Sequence, residues 1–181
     1  MVKLGAQFKK EILKLKNRSH VNKEIFQQFL KRLNSGYLIE TENPADHYCS
    51  FLVPVDTKTK SIFVGHHIDA DQWIPPGGHI EEKESPVQTV YREFSEELSY
   101  KLTKETVALF DLGIIKITNP ERICRIHYDF WYLVSIEKID FNYNKNEFYQ
   151  ATWLPIDVAI KKATKGSIVK SLSHLKRHLE L

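Results

Sequence analysis

Cysteine is scarce in this chain: two in 181 residues, Cys49 and Cys124. That excludes a disulfide framework and a closed Cys-type zinc site. Glycine and proline are also sparse, seven of each, which excludes collagen-like and low-complexity readings. No uninterrupted apolar run approaches the roughly 18–20 residues that cross a bilayer. The opening Met1-Val2-Lys3-Leu4 lacks the apolar block of a signal peptide, because lysines recur through it. The expectation is a soluble chain in a reducing, cytoplasmic setting, with no membrane partner. No H-E-x-x-H zinc pattern and no G-x-S-x-G elbow occurs. What is present is ordinary for a folded protein: 42% hydrophobic and 27% charged residues, enough apolar side chains to offset ordering entropy. The length suits one domain, or one domain with an extension, that buries its core without staples.

The net charge of +3 is unevenly spread. Residues 1–35 carry +7, residues 160–181 carry +5, and the middle carries −9. Clustered carboxylates repel unless a cation sits among them, so the acidic centre points to a metal site. The basic ends raise RNA as a partner, but no aromatic interleaving accompanies them, and a solvated helix face is the plainer reading. DNA is not expected.

Leu4, Phe8, Ile12 and Leu15 recur at helical spacing, and Asn22 is placed to cap a second helix carrying Ile25, Phe26, Phe29, Leu30 and Leu33. These define an N-terminal helical extension, 1–36, before a domain at 37–181. The stripes must be buried on that domain or on a second copy, so a homodimer is a candidate state. From about residue 47 the pattern turns to strands: 48–55 and 61–65 as a hairpin, then 107–118, 123–136 and 148–154. Pro155 suits the first turn of a helix, and Ile168, Leu172, Leu175 and Leu179 mark a last amphipathic one.

Residues 73–100 read as a loop and then a helix. Ser85, Pro86 and Gln88 occupy N-cap, N1 and N3, the capping-box spacing. Val87, Val90, Tyr91, Phe94 and Leu98 make one apolar face. Glu93, Glu96 and Glu97 stand at i, i+3 and i+4 and line another. Alone they would read as a solvated acidic face. Three carboxylates with waters and phosphate oxygens are also a ligand set for Mg²⁺.

They do not stand alone. Gly78, Glu84 after five intervening residues, Arg92-Glu93 after seven more, Phe94, Glu96-Glu97 and Tyr100 follow the spacing G-x5-E-x7-R-E-U-x-E-E-x-G-U, where U is a bulky apolar residue. The one departure is Ser99 in the place of the second glycine. Six fixed positions at roughly 6–7% usage each match by chance with odds of about 10⁻⁵ in a chain this long. The segment resembles the Nudix box. The resemblance implies an α/β/α sandwich with a mixed sheet, and a hydrolase that cleaves a phosphoanhydride in a nucleotide-type substrate with Mg²⁺ or Mn²⁺. It implies Glu93, Glu96, Glu97 and the Gly78 carbonyl as metal ligands, and a structural ion pair between Arg92 and Glu84. Glu96, Glu97 and, outside the box, Glu147 are the candidate catalytic bases. Ser99 puts only the local turn in question.

Other signals are weaker. His66 and His67 should face opposite sides of a strand and so not share a metal. His79 follows the glycine pair and reads as a polar loop histidine or a phosphate contact. Cys49 and Cys124 read as inert thiols on apolar strands. Tyr48, Trp73, Tyr128, Trp131 and Tyr149 could stack on a base but are more often core. The alternatives to a small-molecule hydrolase are a Nudix-fold sensor that binds a nucleotide without turnover, and an RNA-directed pyrophosphohydrolase.

Overall fold

The computed structural model describes residues 2–103, 105–164 and 166–179. Met1, Glu180 and Leu181, at the ends of the expected extension and domain, lie outside them.

Helix α1 (Val2–Leu13) buries Phe8 and Ile12, with Leu15 just past its end. Helix α2 (Lys23–Leu33) begins where the Asn22 side chain accepts from the N–H groups of Glu24 and Ile25 at 2.8 and 3.2 Å, so two orphan donors are satisfied. It buries Phe26 and Phe29. Gly36 beyond it takes φ +80°.

Strands β1 (Asp46–Asp56) and β2 (Ser61–His67) form the hairpin, paired antiparallel at Val55–Ile62 and Asp56–Ser61. They then diverge. β2 takes β3 (Gln72–Ile74) and, later in the chain, β7 (Phe148–Pro155), both antiparallel. β1 takes β4 (Gly77–His79) antiparallel and β6 (Ile126–Ser135) parallel. β5 (Thr106–Lys116) completes the order β3-β2-β1-β6-β5. Between β4 and β5 runs α3 (Pro86–Leu98); α4 (Ile156–Lys162) and α5 (Gly166–His178) close the chain.

The mixed sheet is covered on both faces, as the α/β/α expectation required. Tyr48, Leu52, Phe63, Phe130 and Tyr132 pack with α1, α2 and the Val90, Phe94 and Leu98 face of α3. On the other face Val53, Val55, Ile62, Val64 and Trp131 meet Ile156, Ala159, Ile168 and Leu172 of α4 and α5. Strand alternation sorts the two sets.

The N-terminal helices are part of the first layer. Phe29 sits 5.5 Å, ring to ring, from both Tyr48 and Phe130, and Phe8 sits 5.2 Å from Tyr48. Tyr48 Oη donates to the Phe29 carbonyl at 2.6 Å, and Tyr132 Oη to Glu11 at 2.9 Å. Arg32, buried, pairs with Asp46 at 2.6 Å and also donates to the carbonyls of Tyr37 and Asp46. No helix among the described residues is long and apolar enough to cross a membrane.

Two local expectations need correction. Residues 73–84, expected as a loop, contain β3's end and β4. Three-residue strands are too short to show alternation, and Gly77-Gly78 has no side-chain pattern to read. The strand expected from 123 starts at Ile126, so Cys124 lies in the preceding loop and not on a strand.

Candidate active site

The site is built where α3 meets β4. Gln88 Oε1 accepts from the Ser85 N–H at 2.8 Å and Pro86 takes the first helical position, which fixes the helix start. From that start, the helical period carries Val90, Phe94 and Leu98 into the core. Glu93 and Glu97, at i and i+4, are drawn in beside them: both are buried, while Glu96 stays exposed. The helix ends on Ser99 at φ 50°, ψ 35°, the left-handed conformation. The serine therefore keeps the turn a glycine would make, at a cost of about 1 kcal/mol.

The two glycines of β4 permit close approach. Gly77 has φ +143°, and a Cβ there would fall 2.3 Å from the Ser50 carbonyl oxygen. A Cβ on Gly78 would fall 2.1 Å from Glu93 Oε1, so any larger residue displaces that carboxylate. The Gly77 N–H donates to Glu97 Oε2 at 2.7 Å.

Arg92 is the hub. It grips Glu84 with two N–H groups, Nε to Oε1 at 2.9 Å and Nη2 to Oε2 at 3.2 Å. Nη2 also donates to the His79 carbonyl at 2.8 Å. Nη1 donates to Glu93 at 2.8 Å and to Glu96 at 2.9 Å. The planar fork thus ties the loop before α3, strand β4 and two acids of α3 together. Burial works against the Glu84 charge, but the Arg92, Thr89 and Glu81 hydrogen bonds hold its carboxyl below the usual range.

Glu147 arrives from far along the chain. The Asn144 N–H donates to the Glu97 carbonyl at 2.7 Å, and the Ile68 N–H to the Glu147 carbonyl at 2.8 Å. These bonds set Glu147, just before β7, against the end of α3. Donor atoms of Glu97, Glu147 and His67 lie within 4.8 Å of one another, and His67 Nε2 is 3.6 Å from Glu147. Glu93 and Glu96 are not in that tight group; Arg92 holds them at its flank. The sequence names His67 only as a strand residue that cannot share a metal with His66, and not as a neighbour of the acids. The β2–β7 register shifts between His66 and His67, and nothing in the sequence pattern pairs His67 with Glu147.

The acids line a cavity of about 480 Å³ that also meets Phe51, Ile74 and Ile115. Burial, then the neighbouring acids, pushes Glu93 up to about 7 even beside Arg92. Burial and the Glu93 charge push Glu97 well above the usual carboxylate range. Carboxylates so crowded are unstable as bare anions, and a dication among them reverses the sign of that energy. The hard oxygen donors fit Mg²⁺ or Mn²⁺. His66, facing Trp73 at 6.0 Å and Tyr149 at 5.3 Å, lies apart from the acids on β2.

Known proteins resemble the chain in sequence and in fold. The NUDIX domain family model matches residues 47–174. A protein of Lactococcus lactis subsp. cremoris described as "Probable DHNTP pyrophosphohydrolase" is 32% identical over 133 residues, covering 71% of this chain and 76% of its own. The E. coli dihydroneopterin triphosphate pyrophosphohydrolase is similar in fold, with a TM-score of 0.63 and 16% identity, over 74% of this chain and 94% of that one. A C. elegans Ap4A hydrolase in a binary complex gives 0.61 and 19%, over 74% and 97%.

Proposed function

The chain belongs to the Nudix hydrolases, and from that premise we propose a Mg²⁺- or Mn²⁺-dependent pyrophosphohydrolase acting on a nucleotide-type triphosphate. Two of the similar proteins are named for dihydroneopterin triphosphate, which makes that compound the first substrate to try. The observation that carries the reading is the convergence of Glu93, Glu97 and Glu147 on one cavity beside Gly77 and Gly78. A set of repelling buried acids suits a site whose working partners are cations and phosphates. Nothing in it favours a binding protein without turnover.

In this reading Glu93, Glu96, Glu97 and the Gly78 carbonyl hold the cation. When bound, the cation supplies charge neutralisation of the phosphates and acidification of a water. Glu147 is the favoured proton acceptor. It is half-exposed, whereas Glu97 is buried with one oxygen held by the Gly77 N–H. Glu96 and Glu97 remain the other candidates. Arg92 and Glu84 position these acids and touch no substrate. The domain runs over 37–181, with 1–36 as an extension folded onto it, and the cytoplasm is its setting.

Glu97→Gln tests the assignment. It keeps shape and removes a charge and a good ligand. Pyrophosphate release from dihydroneopterin triphosphate with Mg²⁺ should fall at least about a hundredfold, since one lost electrostatic contact to a transition state costs about 2.7–4 kcal/mol. The melting temperature should not fall. Full activity in the variant would remove Glu97 from the mechanism. A wild type that releases no product from any of a panel of nucleoside triphosphates, ADP-ribose, dinucleoside polyphosphates and capped RNA would overturn the enzymatic reading.

A further inference from the structure

A second set of metal-ligating side chains lies on the sheet, made of different residues from the box acids but bordering the same cavity. Strand register creates it. His47 of β1 is the partner of His127 on β6, and Cys49 of β1 faces His79 on β4. Alternation puts these residues on the side of the sheet opposite Tyr48, Tyr128 and Phe130. The loop before β6 adds Cys124.

One donor atom from each of His47, His79, His127 and Cys124 lies within 4.8 Å of the others. The three imidazole centroids are 4.7, 4.9 and 5.2 Å apart. His47 is fully buried, with Nδ1 2.9 Å from the Asn43 carbonyl oxygen. A carbonyl only accepts, so Nδ1 carries the hydrogen and Nε2 carries the lone pair. Nε2 is the atom 3.9 Å from Cys124 Sγ. Metal-binding histidines are oriented by just such a bond on the other ring nitrogen. Glu40 borders the set, 2.8 Å from His79 Nδ1 and 3.8 Å from Cys124 Sγ. Its charge balances a dication that has taken one thiolate.

We propose that His47, His79, His127 and Cys124 form a binding site for a zinc-class transition-metal ion, distinct from the Mg²⁺ site of the box. One thiolate with three imidazoles selects zinc and its neighbours over Mg²⁺ or Ca²⁺, which prefer oxygen. Tetrahedral zinc, at about 2.0–2.1 Å to nitrogen and about 2.3 Å to sulfur, sets neighbouring donors roughly 3.3–3.6 Å apart. The His47–Cys124 separation needs to contract by only a few tenths of an ångström. Two cysteines exclude an all-thiolate site but not one that uses a single thiolate. All four protein positions are filled, so the ion is structural. It cross-links β1, β4, β6 and the loop before β6, and through His79 it braces the strand that carries Gly77 and Gly78.

The test is metal content and a spectroscopic signature in the full chain. Protein expressed with zinc and desalted should retain about one equivalent. Glu97→Gln should retain it too, whereas Cys124→Ser should not. Replacement by Co²⁺ should give a thiolate-to-cobalt charge-transfer band and the intense visible bands of a tetrahedral ion. Cys49→Ser should keep that band and Cys124→Ser should lose it. Zinc lost in Glu97→Gln but kept in Cys124→Ser would place the ion in the acid site and overturn the proposal. Should Cys124→Ser fail to fold, the wild-type cobalt spectrum decides alone: absence of the thiolate band overturns the site.

Discussion

Replacing Glu93 by Gln probes the electrostatics of the acid site without any substrate. Burial first, then Glu96 and Glu147, raise the Glu93 carboxyl from an ordinary 4.5 to about 7, against the pull of Arg92. A group raised in the folded state contributes stability below its unfolded value and loses it as pH rises through the folded one. At about 1.4 kcal/mol per pH unit, the metal-free wild type loses up to about 3 kcal/mol from this group between pH 4 and pH 8. That is an upper limit, because Glu97 is raised beside it and removing one charge eases the other. Gln has the same shape and does not titrate. The two proteins should melt alike near pH 4 and part by pH 8, the variant being higher by up to about 6–12 °C at about 2–4 °C per kcal/mol. His47 and His67, lowered chiefly by burial, tilt both curves the other way as pH rises toward 6.5. They are common to both proteins and cancel in the difference. The assay is calorimetry in chelator from pH 4 to pH 8, repeated with Mg²⁺, which should lift the wild type at pH 8 and narrow the gap. A difference that stays flat with pH refutes the account of the site.

Ser99→Gly should raise stability by about 0.5–1 kcal/mol, because it relieves a side chain held at φ 50°; urea denaturation at unchanged turnover checks it, and no gain would mean the serine turn is unstrained. Phe29→Ala should cost about 3–5 kcal/mol, since the ring is fully buried among Tyr48, Tyr128 and Phe130; a loss within about 0.5 kcal/mol would mean that α2 is only loosely appended.

The parts of this fold that were legible are those with a period. Helix α3 was readable because capping residues, an apolar stripe and an acidic stripe all agree over thirteen residues. The hairpin, β5 to β7 and the terminal helices were readable for the same reason. β4 was not, because two of its three residues are glycines that carry no pattern. The pairing of Arg92 with Glu84 is implied by the resemblance to the Nudix box, whereas the approach of Glu147 to Glu97 is a product of tertiary folding across fifty residues. Glu147 could be nominated only by its place before a strand. The His47, His79, Cys124 and His127 group draws on three strands and a loop. Each residue alone reads as an unremarkable core or loop side chain, and only strand register assembles them.

The seating of α1 and α2 has a consequence in time. The helices are synthesised first, but Tyr132, which holds Glu11, follows 121 residues later. At about 5–20 residues per second, the Phe8, Ile12, Phe26 and Phe29 stripe waits roughly 6–24 s for the strand that covers it. A fragment cut to residues 47–174 would keep α3 but lose the cover that Phe8 and Phe29 give to Tyr48 and Phe130. A nascent chain is therefore at its most adhesive just before β6 emerges, and slowing its synthesis lengthens that interval.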